Sequence, residues 1–351
     1  MEDKINEDWN IELQIRIICF SLVKNLNVSK LRKSMSKVKE KPPFQLVPIS
    51  AENFKFEIEK TYRYPDIDKK DEEEIDRFWE EGVKPNFPNF NTGIPIANLE
   101  RIEIYEEGDK IKIKEVWGEI YYKEFVAAGT KELGKANISE KTIQKINHRS
   151  YTGIVRTKDG KIVMAVREEN VLGANKKTTI PQGMIRLKED EDPLSATKKR
   201  MKKELGPDLD DEIIEKIVLL DYCIHDEDYR DVSIGFLFEI NLTWNELKEK
   251  AKVGGFNRDL QCIEDKPEEI YRFIKNWKNI STYDTIAHLA GYLIYKYPEK
   301  AKEYLEKLEK TEEFRGKESI VVCTMQDLLS ERYVDVKGNY RYKGEMRCYG
   351  A

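Results

Sequence analysis

Apolar and polar residues alternate in several short runs, and charged stretches with helical spacing separate them. The run NFKFEIEK at 53–60 reads as a half-buried strand. RIEIYEEGDKIKIKEVW, at 101–117, reads as two strands turning at Glu107-Gly108-Asp109. EIYYKEF, at 119–125, is expected to add a third strand. Between them, DKKDEEEIDRFWEEG at 68–82 predicts a charged helix with Ile75, Phe78 and Trp79 on one side. KPNFPNFNTGIPIAN, at 84–98, is rich in Pro and Asn and predicts irregular chain.

The pattern sharpens after 147. SYTGIVRT and KIVMAVRE flank Lys158-Asp159-Gly160, a hairpin turn. TTIPQGMI predicts a short strand running into a Pro-Gln-Gly loop. PLSATKKRMKKEL, at 193–205, predicts a helix that starts on Pro193 and stops at Gly206-Pro207. IVLLDYCIH and VSIGFLFEINL predict two strands around an acidic loop, Asp226-Glu227-Asp228. Two helices follow, TYDTIAHLAGYLIYKY and EKAKEYLEKLEKTEEF. In the first, Tyr283, His288, Tyr292 and Tyr295 fall at core spacing. Trp244 and Trp277 are expected to anchor packing nearby. DWNIELQIRIICFSLVKNL, at 8–26, fits both periods, with its length favouring helix, and a basic stretch follows from Lys30 to Lys41.

This order predicts a mixed α/β (α+β) protein. Residues 1–43 form an N-terminal helix and basic linker, and 44–138 a separate α+β domain. A second domain at 139–295 is expected to be an α/β/α sandwich, followed by a helix and tail at 296–351. A chain of 351 residues accommodates two domains.

Charge changes the picture only in part. Charged residues make up 36% of the chain, above the usual share of about 25%. The 61 basic and 66 acidic residues nearly cancel, so a net charge of −5 offers no global attraction to nucleic acid. Lys and Glu enrichment fits a thermophile or an AT-rich genome equally. The five cysteines are scattered and predict neither a zinc site nor a disulfide framework. The apolar run IRIICFSLV contains Arg16 and is about half the length of a membrane span. A cytoplasmic protein is expected.

The strand hairpin, the Pro-x-Gly loop and a helix ending in Glu-x-Gly together resemble the Nudix superfamily over roughly 147–290. The signature of that family is G-x5-E-x7-R-E-U-x-E-E-x-G-U, where U is a bulky aliphatic. Here Gly183 takes the first glycine and Gly206 the last, with two residues too many between them. Counted back from the helix end, Glu191 takes the first glutamate and Lys199 the arginine. Arg200, Lys203 and Glu204 then take the three remaining glutamates. Counted forward from Gly183, Glu189 takes the first glutamate instead.

The resemblance implies recognition of a nucleotide or nucleoside-diphosphate derivative. In the family, carboxylates at i, i+3 and i+4 share one helix face and gather Mg²⁺ against the diphosphate. Exchanging two of three carboxylates for cations moves the formal charge of that face from −3 to +1, which opposes a metal.

Three readings follow. In the first, Arg167, Gly183, Lys199, Arg200 and Lys203 bind a phosphate-bearing ligand directly, with hydrolysis weakened or lost. In the second, a divergent hydrolase uses Glu204 and Glu191, with Mg²⁺ or Mn²⁺ held by Glu204, Asp226, Glu227 and Asp228 and with His225 as a ligand or base. In the third, the chain is a regulator or scaffold whose basic runs at 30–41 and 198–203 touch nucleic acid or a protein partner. An oligomer is compatible with all three.

Overall fold

The computed structural model describes residues 49–87, 93–107, 110–129, 133–169, 171, 173–206, 211–225, 231–254, 257–280 and 282–309, with short strands between 320 and 347. The expected helix and basic linker at 1–43 and the loop residues Asp226, Glu227 and Asp228 lie outside the described residues. So do the side chains of His225, Trp277 and Tyr283.

Strands β1 (Ile49–Ser50) and β2 (Phe54–Lys60) lead into helix α1 (Lys69–Arg77), which continues as a wider helical turn over Phe78–Val83. Ile75 and Trp79 are buried on one side of this helix, as its spacing predicts. The hairpin is formed by β3 (Ile96–Glu107) and β4 (Lys110–Ile120), and β2 lies parallel to β4.

EIYYKEF does not supply a third strand. Its first two residues finish β4, and Tyr122–Ala128 forms helix α2. The Glu124 carboxylate turns back and accepts from the Tyr121 backbone N–H at 2.7 Å, which caps the helix start. Phe125, Val126, Ala127 and Ala128 then bury together, a grouping that a strand with alternating faces does not allow.

The later segment begins with the short helix α3 (Glu140–Ile143), then β5 (His148–Arg156) and β6 (Lys161–Arg167). TTIPQGMI divides into β7 (Lys177–Thr179) and β8 (Gln182–Met184) around Ile180-Pro181. Helix α4 (Pro193–Leu205) matches its expected span and precedes β9 (Ile214–His225) and β10 (Asp231–Ile240). Among the elements not read from the sequence are α5 (Trp244–Lys250), β11 (Asn257–Glu264) and α6 (Pro267–Lys275). The two expected C-terminal helices are α7 (Tyr283–Lys296) and α8 (Pro298–Glu309). β12 (Ile320–Thr324) then pairs with β9.

The fold is mixed α/β. β5 runs parallel to β10, and β9 pairs antiparallel with β10. Asn98 of β3 pairs with His148 of β5, so β2, β3 and β4 extend the same sheet as the later strands. Alternation along each strand sorts the core into two layers. Tyr151, Val155, Phe236 and Phe238 face a cluster containing Ala196, Met201 and Leu205 of α4 and Leu247 of α5. Phe54, Leu99 and Trp117 of the N-terminal strands join that cluster, and Trp244 packs at its edge. Ile154, Val218 and Leu237 face the other way, against α6, α7 and α8.

Candidate functional site

Helix α4 is fixed at both ends by short-range chemistry. The Asp192 carboxylate accepts from the Ser195 N–H at 2.9 Å, satisfying an otherwise orphaned helix donor, and Pro193 sets the first turn. Gly206 closes the helix at φ 124°, in the region that favours glycine. Ala196, Thr197, Met201, Glu204 and Leu205 are buried toward the sheet, so the cations must take the remaining directions.

They do not form one cationic face. Lys198 and Lys202, one turn apart, both approach Asp211, at 3.8 and 3.6 Å. Lys199 turns back, donating to the Glu189 carbonyl at 2.8 Å and lying 3.7 Å from Asp190. Arg200 points inward and donates through Nε to Glu204 at 2.7 Å. Lys203 stands exposed. Partial burial and the neighbouring charges of Arg200 and Arg186 hold its ammonium below the usual lysine range.

Glu204 is the carboxylate that the signature resemblance retains, and it is almost wholly buried. One oxygen takes the Arg200 bond and the other accepts from the Gln182 backbone N–H at 3.3 Å. Burial pushes the carboxyl above its ordinary range, while the positive charges of Arg200 and Arg167 pull the other way. Arg167, at the end of β6, therefore acts on the same carboxylate as Arg200. Gly183 lets β8 lie against Tyr151, since a Cβ there would sit 2.7 Å from the tyrosine oxygen. Glu191 is exposed just before the helix, and Glu189 is bound by Arg186 at 2.8 Å.

The structure thus gathers Glu204, Arg200, Arg167 and Lys203 near Pro181 and the start of β8, where a loop was expected, sends Lys199 to the Glu189–Asp190 turn, and leaves Glu191 at the surface. Arg186 was not singled out in the sequence, because its approach depends on how the 186–190 turn folds back over α4.

A divalent cation does not fit this donor set. The one carboxylate that α4 contributes already has both oxygens engaged, and three cations surround it. Among the described residues, no three His, Cys, Asp or Glu side chains converge as metal ligands.

The Arg200–Glu204 pair gives a direct test of this geometry. Arg200→Met should leave a buried carboxylate without its main partner. A double-mutant cycle with Glu204→Gln is expected to show coupling of about 2 kcal/mol in urea unfolding. Independent, additive effects would mean that the pair does not form.

A second polar centre lies on the opposite face of the sheet. His288 of α7 bonds Asp221 through Nδ1, and its Nε2 lies 2.9 Å from the Ser233 hydroxyl. Serine, histidine and carboxylate stand in the order of a nucleophile relay. All three are fully buried beneath α7, which closes them to substrate. A bulge in β9, where Leu220 is skipped in the pairing with β10, turns Asp221 toward the helix. Sequence spacing gave no sign of this contact, because its members lie 67 and 55 residues apart.

The fold and site together define a mixed α/β protein with a cation-rich helix-and-loop site. No protein-family profile and no curated protein match the chain. It is similar to a bifunctional NMN adenylyltransferase/ADP ribose pyrophosphatase from Francisella tularensis, at 18% identity and a TM-score of 0.32. That alignment covers 43% of this chain and 41% of the other, so this chain spans about two fifths of that protein's length. It is also similar to a MutT protein from Methanosarcina mazei, at 14% identity over 47% and 94% of the two chains, with a TM-score of 0.27. The NUDIX domain of Shewanella oneidensis NrtR, solved with ADP ribose, gives 12% identity over 48% and 94%, with a TM-score of 0.32.

Proposed function

We propose that the surface formed by α4, Pro181 with the start of β8, and the 186–190 turn binds a nucleotide or nucleoside-diphosphate derivative. In this reading, Arg200, Lys203, Arg186 and Arg167 meet the phosphates without a metal ion on α4.

One observation carries the reading. Burial first, and then the charges of Arg200 and Arg186, hold the Lys203 ammonium below the usual lysine range, while Glu204, the nearby helix carboxylate, is already committed to Arg200. Lys203 thus stands beside two guanidinium groups, each with a carboxylate partner, and an added anion would favour its charged form. A diphosphate is such an anion, and guanidinium groups match its oxygens in paired hydrogen bonds.

The arrangement disfavours hydrolysis of the metal-assisted kind on this helix, because the carboxylates that would gather the metal are replaced by Arg200 and Lys203. Recognition is the activity that the remaining groups support.

The test is calorimetric titration of the full chain with ADP-ribose and with inorganic pyrophosphate. Lys203→Gln is expected to weaken binding about tenfold, equivalent to about 1.4 kcal/mol. Affinity should also fall as pH rises through the depressed Lys203 value, because the neutral amine no longer attracts phosphate. An affinity that neither the substitution nor the pH changes would remove the reading.

A further inference from the structure

Tyr151 faces Gly183 across the antiparallel pairing of β5 and β8. With no side chain at 183, the ring lies over that strand. An added Cβ would sit 2.7 Å from the phenol oxygen and 3.0 Å from the ring carbon that bears it. Covering a strand glycine gives the ring a structural reason. The hydroxyl has no such reason, since Phe236 and Phe238 fill the same core layer without one.

Only 4% of Tyr151 is exposed. Taking a hydroxyl to that depth costs free energy unless it gains a hydrogen bond. Tyr222, Tyr292 and Tyr304 are the other buried tyrosines among the described residues, and each donates to a carboxylate, at 3.0, 2.8 and 3.0 Å. Tyr151 is the exception. Among the described residues nothing bonds to its hydroxyl, and its oxygen is not sealed from solvent.

The surroundings show where this hydroxyl points. Burial raises the phenol above its ordinary range, and the charges that act on it are those of Arg200, Asp190, Glu204 and Arg186. Two of these belong to α4 and two to the 186–190 turn, while Gly183 of β8 lies beneath. The hydroxyl therefore stands where the three elements of the proposed surface meet. It keeps its proton at neutral pH and is an uncharged donor.

The nearby carboxylates are committed elsewhere. Glu204 is engaged through both oxygens, by Arg200 and by the Gln182 N–H. One Asp190 oxygen accepts from the Arg186 N–H at 2.8 Å, and the other lies 3.7 Å from the Lys199 ammonium. An acceptor brought by a ligand would meet the hydroxyl with the Arg200 and Arg186 charges close by, which favours an anionic oxygen.

We infer, building on the function proposed above, that Tyr151 is a ligand-binding residue of this surface, whose hydroxyl donates to a non-bridging phosphate oxygen of the bound diphosphate.

The experiment is calorimetric titration of the full chain and of Tyr151→Phe with ADP-ribose and with inorganic pyrophosphate, beside urea unfolding of both proteins. Phenylalanine keeps the ring over Gly183. Both ligands are expected to bind Tyr151→Phe about tenfold more weakly, the loss of one hydrogen bond to a charged group. The unfolding midpoint should hold or rise, since no bond within the protein is lost. If Tyr151→Phe binds both ligands as the parent does, the inference is overturned and the proposed function stands. A loss confined to ADP-ribose would also overturn it, by placing the hydroxyl against the sugar or base. So would a lowered midpoint, which would make the hydroxyl part of the fold. A parent chain that binds neither ligand would remove the proposed function itself, and this contact with it.

Discussion

Replacing Glu115 with alanine is expected to cost about 3–5 kcal/mol of folding stability, the usual penalty for stranding a buried charge. Glu115 and Arg149 both have zero exposure, and they meet through two bonds, at 2.7 and 3.0 Å. Trp117 donates to one Glu115 oxygen at 2.7 Å and Tyr222 to the other at 3.0 Å. The remaining Arg149 nitrogen donates to the carbonyls of Ser150 and Val232. Every member of the network is satisfied, which is the condition under which a buried ion pair is tolerated. Glu115 lies on β4, Arg149 on β5 and Tyr222 on β9, so the network ties the N-terminal strands to the later ones. Alanine would leave a guanidinium, an indole and a phenol without their acceptor. Urea unfolding measures the loss. Glu115→Gln keeps an acceptor for Trp117 or Tyr222 and should lose less. A cost below about 1 kcal/mol for alanine would mean that water reaches the site and solvates Arg149.

The second large effect is expected at Gly291. On an exposed helix, Gly→Ala stabilises by about 1 kcal/mol. Here the sign should reverse. A Cβ at 291 would sit 1.6 Å from one Asp221 oxygen, and one at Gly235 would sit 2.5 Å from both Asp221 and His288. The two glycines, one on α7 and one on β10, make the space in which the Asp221–His288 pair is held. Overpacking of this kind costs about 1–3 kcal/mol, and displacing the buried pair adds to it. Gly291→Ala is therefore expected to destabilise by about 3 kcal/mol or more. Gly82→Ala serves as the control, since nothing lies within 4 Å of its added Cβ. If both substitutions prove neutral, α7 does not seat against Asp221 as described.

The sequence conveyed local structure better than assembled chemistry. Helix α4 was legible to the residue because Asp192, Pro193 and Gly206 are punctuation that acts over a few positions. Helix α2 was misread because Tyr and Ile next to Lys and Glu imitate alternation, while the deciding contact, Glu124 to the Tyr121 N–H, is one hydrogen bond. Lys198 to Lys203 read as a single cationic run. In three dimensions the 100° turn between residues sends its members to Asp211, to the Glu189 carbonyl and to Glu204. Partners such as Arg149 and Glu115, or His288 and Asp221, leave no spacing signal, because the sheet rather than the local chain brings them together.

The central claim is that Arg200, Lys203 and their neighbours bind phosphate directly where a metal would otherwise be gathered. Titration of ADP-ribose into the full chain, once with Mg²⁺ and once with EDTA, tests it most directly. The account predicts the same affinity in both, reduced at least tenfold in Arg200→Gln/Lys203→Gln. Binding that requires Mg²⁺, or no binding under either condition, would contradict it.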